Sequence, residues 1–155
     1  MSDAAEAVAD RPIRAYAGLL AVHGGLVGGA LALAMRRGKL PGRIGLGDLA
    51  LGAVATYKLS RLLTRSAVTS PLRAPFTGEA ELTGPAEVAE EVQGEGLRRA
   101  VGELLTCPFC LGHWIATAYG VGLAFAPDLT RTMAGMLAVE AGADALQHLN
   151  ARLSS

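Results

Sequence analysis

Two cysteines and a histidine recur every three residues in the stretch "TCPFCLGHW", at Cys107, Cys110 and His113. Thiolates and imidazoles are ligands that suit zinc and copper, and paired thiols also carry redox chemistry. Pro108 is favoured at the first position of a helix, so we expect a helix to begin here with Cys107 as its cap. The C-P-x-C pattern is also typical of thioredoxin-like proteins, but the surrounding sequence lacks the βαβ pattern of that fold.

A second set of polar side chains follows on the last predicted helix. Glu140, Asp144 and His148 are spaced by four residues and therefore share one helix face. When the chain is reflected about the turn near residue 129, Cys110 comes level with His148, and His113 with about Asp144. A structural zinc needs four ligands, and the last helix would supply those that the cysteine block lacks. The reflection therefore predicts a metal or redox site between the two helices. Its members are Cys107, Cys110, His113, Asp144 and His148.

Two other interpretations compete with a metal or redox site. Glu140 and Asp144 could pair with Lys58 or Arg61 and so hold helices together, which is the structural interpretation. The same two carboxylates could instead line a transport path, because an ionisable group within a bilayer costs ~2.5–3.5 kcal/mol and must face protein or water. The sequence leaves all three open.

The composition favours helices packed in a membrane. Hydrophobic residues make up 51% of the 155 residues and charged residues 18%, with a mean hydropathy of +0.35. Ala and Leu supply most of the hydrophobic residues and the chain also has 20 glycines, a mixture that allows close helix packing in lipid. The net charge is zero and no nucleic-acid-binding pattern is present, so we expect no nucleic-acid partner. The sequence contains no nucleotide-binding motif and no nucleophile motif, so nothing in it predicts an enzyme.

The N-terminal part predicts a tail and a membrane anchor. Residues 1–14 are polar, and residues 15–35 form an uncharged run long enough to cross a hydrocarbon core of ~30 Å. A cleavable signal peptide is the alternative, because "ALA" at 32–34 resembles a cleavage site. Four glycines make two overlapping G-x-x-x-G patterns, which predict contact with a second copy or a protein partner. They are Gly24, Gly25, Gly28 and Gly29.

Residues 46–66 predict a helix that either lies at the membrane interface or crosses as a second span. Its second half is amphipathic and basic. Residues 67–103 are expected to form a loop-rich, acidic cytoplasmic segment. The cations expected to meet lipid headgroups or a partner are Lys58, Arg61, Arg65 and Arg73.

Residues 107–126 and 132–149 predict an antiparallel transmembrane hairpin. With three spans, 11 of the 14 basic residues lie on one side; with four, the split is seven against five, with Lys58 and Arg61 inside the membrane. Both counts place the Cys107 end on the more basic side, which faces the cytoplasm. The sequence thus predicts an all-α polytopic protein with three transmembrane helices, or four if residues 46–66 cross, plus a basic amphipathic interfacial helix.

Two blocks resemble a known family, the bacterial domain of unknown function 1360, which comprises small predicted membrane proteins. One is "ATYKLSRLLTRSAVTSPLRAPF", residues 55–76, and the other is "ELLTCPFCLGHW", residues 103–114. The likeness covers residues 46–150. The family often has an acidic residue where this chain has Ser66, and its pattern does not include His113. The resemblance implies a bacterial inner-membrane location and no particular activity.

The function predicted first is an interaction or scaffold protein whose cysteine block and basic helix form a cytoplasmic docking surface. We expect this protein to lie in the lipid bilayer. We also expect it to bind a protein partner or a second copy of itself through the G-x-x-x-G patterns. A thiol-dependent protein that binds zinc or copper at Cys107 and Cys110, or exchanges electrons there, is the alternative. A small transporter component using Glu140 and Asp144 is the third hypothesis.

Overall fold

The computed structural model describes residues 11–40 and 42–154, and these are mostly helical. Residues 1–10 of the expected tail lie outside the described residues, and the helix that follows begins at Ile13, two residues before the predicted start of the anchor at Ala15. Within these described residues, six helices, a 3-10 turn and two strands follow in chain order. They are α1 (Ile13–Arg36), α2 (Leu46–Arg65), the turn Ala67–Thr69, α3 (Ser70–Arg73), β1 (Thr77–Gly84), β2 (Glu87–Val92), α4 (Gly96–Thr106), α5 (Pro108–Phe125) and α6 (Pro127–Leu153).

Helix α2 lies along both α5 and α6. At its start, Arg131 of α6 donates to the carboxylate of Asp48 at 2.8 Å. Nearer its end, Lys58 Nζ lies 2.5 Å from Asp144 Oδ2, further along α6. Helices α2 and α6 therefore run parallel, and α5 runs antiparallel to both. Because α2 touches these helices at both ends, it is a member of the bundle and does not lie across one end of it.

Small residues let α2 approach α5 closely. Gly52 is buried and the ring of Tyr119 lies directly over it, in the space that a Cβ would occupy. The Tyr119 hydroxyl donates to the backbone oxygen of Asp48 at 2.8 Å, which fixes the ring in that position. Ala55, one turn further, is 5% exposed. This close contact, the α2–α5 seam, forms because the residues of α2 that face α5 have little or no side chain.

Helix α1 packs against α4 and α5 and leaves most of its surface exposed. The Tyr16 hydroxyl hydrogen-bonds Glu103, and His23 Nε2 lies 2.9 Å from Thr117 Oγ1. Within the described residues α1 is the single helix long and apolar enough to cross a membrane. Helices α4 and α5 together are also long and apolar enough to cross a membrane, but the chain bends by 80° between them, at Cys107. By length and apolar composition, the described residues therefore contain one such helix, or two if the bent α4–α5 pair forms one span, and not the three or four expected.

The segment expected to be an acidic loop contains a β-hairpin, so the fold is mostly helical and not all-α. Strands β1 and β2 pair antiparallel, with Ala80 opposite Glu90 and Leu82 opposite Val88. Strand β1 is exposed along nearly its whole length, so it lacks the alternating apolar pattern that reveals a strand. The sequence also gives little sign of the connecting turn, because Ala86 has the positive φ of 60° that a glycine usually adopts at such a position.

We expect Gly52→Ala to destabilise the protein by about 1–3 kcal/mol, because the new methyl group overlaps the ring of Tyr119 and overpacks the seam. Thermal unfolding in detergent micelles, followed by circular dichroism, measures the effect. Gly47→Ala, in the same helix with nothing within 4 Å of the added Cβ, is the control. Equal midpoints for the two variants would contradict the close contact.

Candidate functional site

Arg73, at the end of α3, is completely buried with 0% exposure. Its guanidinium donates to the backbone oxygens of Leu63 at 2.6 Å and Ser66 at 3.0 Å, both near the end of α2. It also donates to both carboxylate oxygens of Glu90 on β2, at 3.0 and 2.8 Å. The hydroxyls of Thr69 and Ser70 accept from it as well, so every guanidinium nitrogen has a partner.

Glu90 is the anion of this interior site, with 4% of its side chain exposed. Ser70 Oγ and Thr77 Oγ1 donate to its carboxylate at 2.5 and 2.9 Å, in addition to the Arg73 bonds. Burial alone would raise the pKa of Glu90. The hydrogen bonds from Arg73, Ser70 and Thr77 outweigh burial and hold that pKa below its usual range.

This site joins α2, α3 and the hairpin and is closed to solvent. Arg73, predicted to meet lipid or a partner, lies in the interior and its donors are used internally. The three other cations predicted for that role, Lys58, Arg61 and Arg65, lie on α2 and are at least partly accessible.

A polar cleft of about 660 Å³ lies between α2, α6 and the hairpin turn. Lys58 is 13% exposed and pairs with Asp144 at 2.5 Å and Glu140 at 3.2 Å, while both carboxylates remain 47% exposed. Arg61 donates instead to Glu87 on β2 at 2.6 Å. The pairing of the α6 carboxylates with Lys58, one of the interpretations that the sequence left open, is therefore present in the structure.

The cysteine block begins α5 as the sequence predicted. Cys107 is the cap residue, Pro108 opens the helix, and the Cys107 Sγ accepts a hydrogen bond from the backbone N–H of Cys110 at 3.2 Å. Both cysteines are free thiols, and that of Cys110 is exposed. The cap coincides with the 80° bend between α4 and α5, so Cys107 marks the point at which the chain turns into the bundle.

The five residues predicted as a metal or redox site do not come together. Cys110 and His113 line an apolar groove between α1, α4 and α5, whereas Asp144 and His148 line the polar cleft beside α2. Among residues 11–40 and 42–154, no group of three or more His, Cys, Asp or Glu side chains is placed to hold a metal ion. Reflection about the turn predicts depth along a helix but not rotation about its axis. Here the polar faces of α5 and α6 point toward different neighbours.

The apolar groove contains residues that sequence reasoning missed. His23 of α1 lies with its ring centroid 4.6 Å from that of His113 and 4.7 Å from that of Trp114. Tyr16 and Glu103, joined by a hydrogen bond, also line it. No spacing pattern links residues so far apart in the chain, so only the packing of α1 on α4 and α5 reveals this set.

Comparison with known proteins gives two matches. The profile of a family described as "Protein of unknown function (DUF1360)" matches residues 51–150. The chain is also similar to the sporulation protein YjcA of Bacillus subtilis (strain 168), with 32% identity over 94 residues, 59% of this chain and 80% of that protein. No solved structure matches the chain significantly.

The buried Glu90 predicts a specific loss of stability in acid. Because its folded-state pKa is lowered, the carboxylate contributes fully above the unfolded value of about 4.3, and this contribution disappears as the pH falls through the folded-state pKa. We therefore expect Glu90→Gln to be less stable than the wild type at pH 7, with the difference shrinking below about pH 4.3.

Free energies of unfolding in detergent micelles, measured from pH 7 to pH 2.5, test this expectation. Glu79→Gln, on the exposed strand β1, is the control and should follow the wild type across the range. A difference between Glu90→Gln and wild type that stays constant with pH would contradict a role for the ionised carboxylate.

Proposed function

The chain belongs to the family described as Protein of unknown function (DUF1360), and from that premise we propose that it is a membrane-embedded interaction protein. Membership confirms the resemblance that residues 55–76 and 103–114 indicated. In this proposal four helices, α1, α2, α5 and α6, cross a bacterial inner membrane. The hairpin end of the bundle then presents a docking surface to the cytoplasm.

The observation that carries the proposal is the exposed apolar surface of α1. Only 6% of its apolar 18-residue stretch is buried inside the protein. The core helix of a soluble domain would instead be covered by protein. Leu20, Leu26 and Met35 are each more than 60% exposed. At 1.5 Å per residue its 24 residues extend about 36 Å, enough to cross a hydrocarbon core of roughly 30 Å.

The contacts of α1 favour an anchor that stays with the protein over a cleaved signal peptide. His23 meets Thr117 and Trp114 in α5, and Lys39, just beyond α1, lies 5.8 Å from the ring centroid of Phe125 at the end of α5. Helix α1 thus runs beside α5 from one end to the other. If α1 lies in the bilayer, α5 lies there with it, and so do α2 and α6, which pack on α5.

This arrangement places seven cations at the hairpin end and five at the other. The seven are Arg11, Arg14, Arg65, Arg73, Arg98, Arg99 and Arg152; the five are Arg36, Arg37, Lys39, Arg43 and Arg131. The excess at the hairpin end supports a cytoplasmic location for that end and for the cysteine block.

The polar cleft is the part of the hairpin end best suited to a partner. Lys58 and Arg61 face the three carboxylates of Glu87, Glu140 and Asp144, so the anions are in excess. The α6 carboxylates are about half exposed and each has oxygens still open to a donor. This favours a partner that inserts a cationic side chain.

Accessibility of engineered cysteines tests the four-span architecture. In a Cys107→Ser, Cys110→Ser background, Gly45→Cys and Ala80→Cys should react with a membrane-impermeant maleimide from opposite sides of the membrane. Asp128→Cys, fully exposed at the turn between α5 and α6, is the control and should behave as Gly45→Cys. Labelling of all three positions from one side would contradict the proposal.

Photo-crosslinking in the native membrane tests the docking surface. A photoreactive amino acid at Gln147, which lines the cleft, should give a discrete adduct with a protein. The same group at Val139, 76% exposed on the same helix, should react only with lipid. The Gln147 adduct should disappear in the Glu140→Gln, Asp144→Asn variant. An adduct that survives it, or none from any cleft position, would overturn the docking role.

A further inference from the structure

The two thiols at the start of α5 are free, and the backbone holds them at a distance that suits a disulfide. Cys107 Sγ lies 3.2 Å from the backbone nitrogen of Cys110, which is bonded to the Cα that carries the second thiol. Residues three apart in a helix have Cα atoms about 5 Å apart, within the range of roughly 4.4–6.8 Å found across disulfides. Closing a bond between the sulfurs therefore needs rotation of the side chains and little movement of the backbone.

The start of the helix gives the two sulfurs different surroundings. The Sγ of Cys107 accepts the hydrogen bond from the backbone N–H of Cys110, and amide donors at a helix N-terminus stabilise a thiolate. The thiolate is the form that attacks a disulfide, so Cys107 is the favoured attacking group. Cys110 then stands one helical turn away, where its own thiol can attack the Cys107 sulfur.

Both thiols can be reached from outside the protein. Cys107 is partly exposed and Cys110 is exposed. Phe109, which lies between them in the chain, is 90% exposed, so an apolar ring stands beside the thiols where an approaching molecule would meet it. Neither cysteine lines the polar cleft, so this surface is separate from the proposed docking surface.

We propose that Cys107 and Cys110 form a dithiol site that exchanges with external disulfides. The Cys107 thiolate attacks one sulfur of the incoming disulfide, which forms a mixed disulfide and releases one thiolate. The Cys110 thiolate then attacks the Cys107 sulfur, which closes the internal disulfide and releases the second thiolate. The two cysteine protons pass through solvent to the two released thiolates. The cysteine pair is thus oxidised by two electrons and the external disulfide is reduced by two.

This inference goes beyond the proposed docking role, because it assigns a reaction to the cysteine block. Disulfides in the reducing cytoplasm are usually transient and serve catalysis or redox sensing, which suits a reversible pair better than a structural bridge. The external group is identified by its chemistry as a disulfide, carried either by a protein or by a small molecule.

Thiol counting in detergent micelles tests the internal disulfide. The purified, reduced protein is equilibrated with mixtures of reduced and oxidised glutathione, quenched with acid, alkylated and weighed by mass spectrometry. We expect both thiols to disappear together, which gives a monomer lighter by two hydrogen atoms and without bound glutathione. The double variant Phe109→Cys, Cys110→Ser is the matched control. Its two cysteines are two residues apart, about 200° around the helix, so they should acquire glutathione instead of joining.

The single variants test the order of attack. Cys110→Ser should accumulate glutathione on Cys107, since the second thiol is absent. Cys107→Ser should react with oxidised glutathione roughly tenfold more slowly, because the amide hydrogen bond that stabilises a thiolate is received at position 107. Serine can cap α5 in place of Cys107, and circular dichroism checks that the fold is kept. Faster reaction of Cys107→Ser than of Cys110→Ser would overturn this order.

Two substrates distinguish the sources of the external disulfide. If Phe109→Ser slows exchange with the disulfides of insulin but not with hydroxyethyl disulfide, the result supports a protein source. Unchanged rates with both substrates support a small-molecule source. The exchange site is overturned if both thiols stay reduced in excess oxidised glutathione, or if each acquires glutathione as in the control. These measurements need neither a membrane orientation nor a partner in the polar cleft, so their failure is distinguishable from that of the proposed function.

Discussion

The buried guanidinium of Arg73 is the interaction on which the hairpin end of the protein depends. It binds the backbone oxygens of Leu63, in the last turn of α2, and of Ser66, which follows α2, together with the carboxylate of Glu90 on β2. An unpaired charge at this depth would be strongly unfavourable, so both ions must be present together. The pair therefore fixes the hairpin against α2, and through it the Arg61–Glu87 bond that closes the polar cleft.

Polar and small side chains lie inside the bundle while large apolar ones face outward. Ser60 and Thr64 are 4% and 2% exposed, and their hydroxyls bond to the backbone of their own helix. Leu26 and Val139, in contrast, are 64% and 76% exposed. This distribution is typical of helices that associate in lipid, where close approach and hydrogen bonds replace the hydrophobic effect. It supports the proposed membrane location.

Local features of the candidate sites were predictable, and assemblies across the fold were less so. Pro108 and its neighbours indicated the cap at Cys107, because capping depends on residues three apart in the chain. The pairing of Lys58 with Asp144 was one of several possibilities. The five-residue metal cluster was not assembled, since its prediction required the rotation of α5 and α6, which their neighbours decide. His23 beside Trp114 was not predicted at all.

The sequence by itself determined the helical segments near residues 15–35, 46–66 and 107–149, and the family. Continuous apolar runs, helix caps and two local blocks are properties of neighbouring residues and survive without a fold. Only the tertiary structure decided that α2 joins the bundle, that Arg73 is buried, and that the α5 and α6 polar faces open to different spaces. Each depends on helix rotation and on contacts between residues distant in the chain, which packing volume and charge pairing select together.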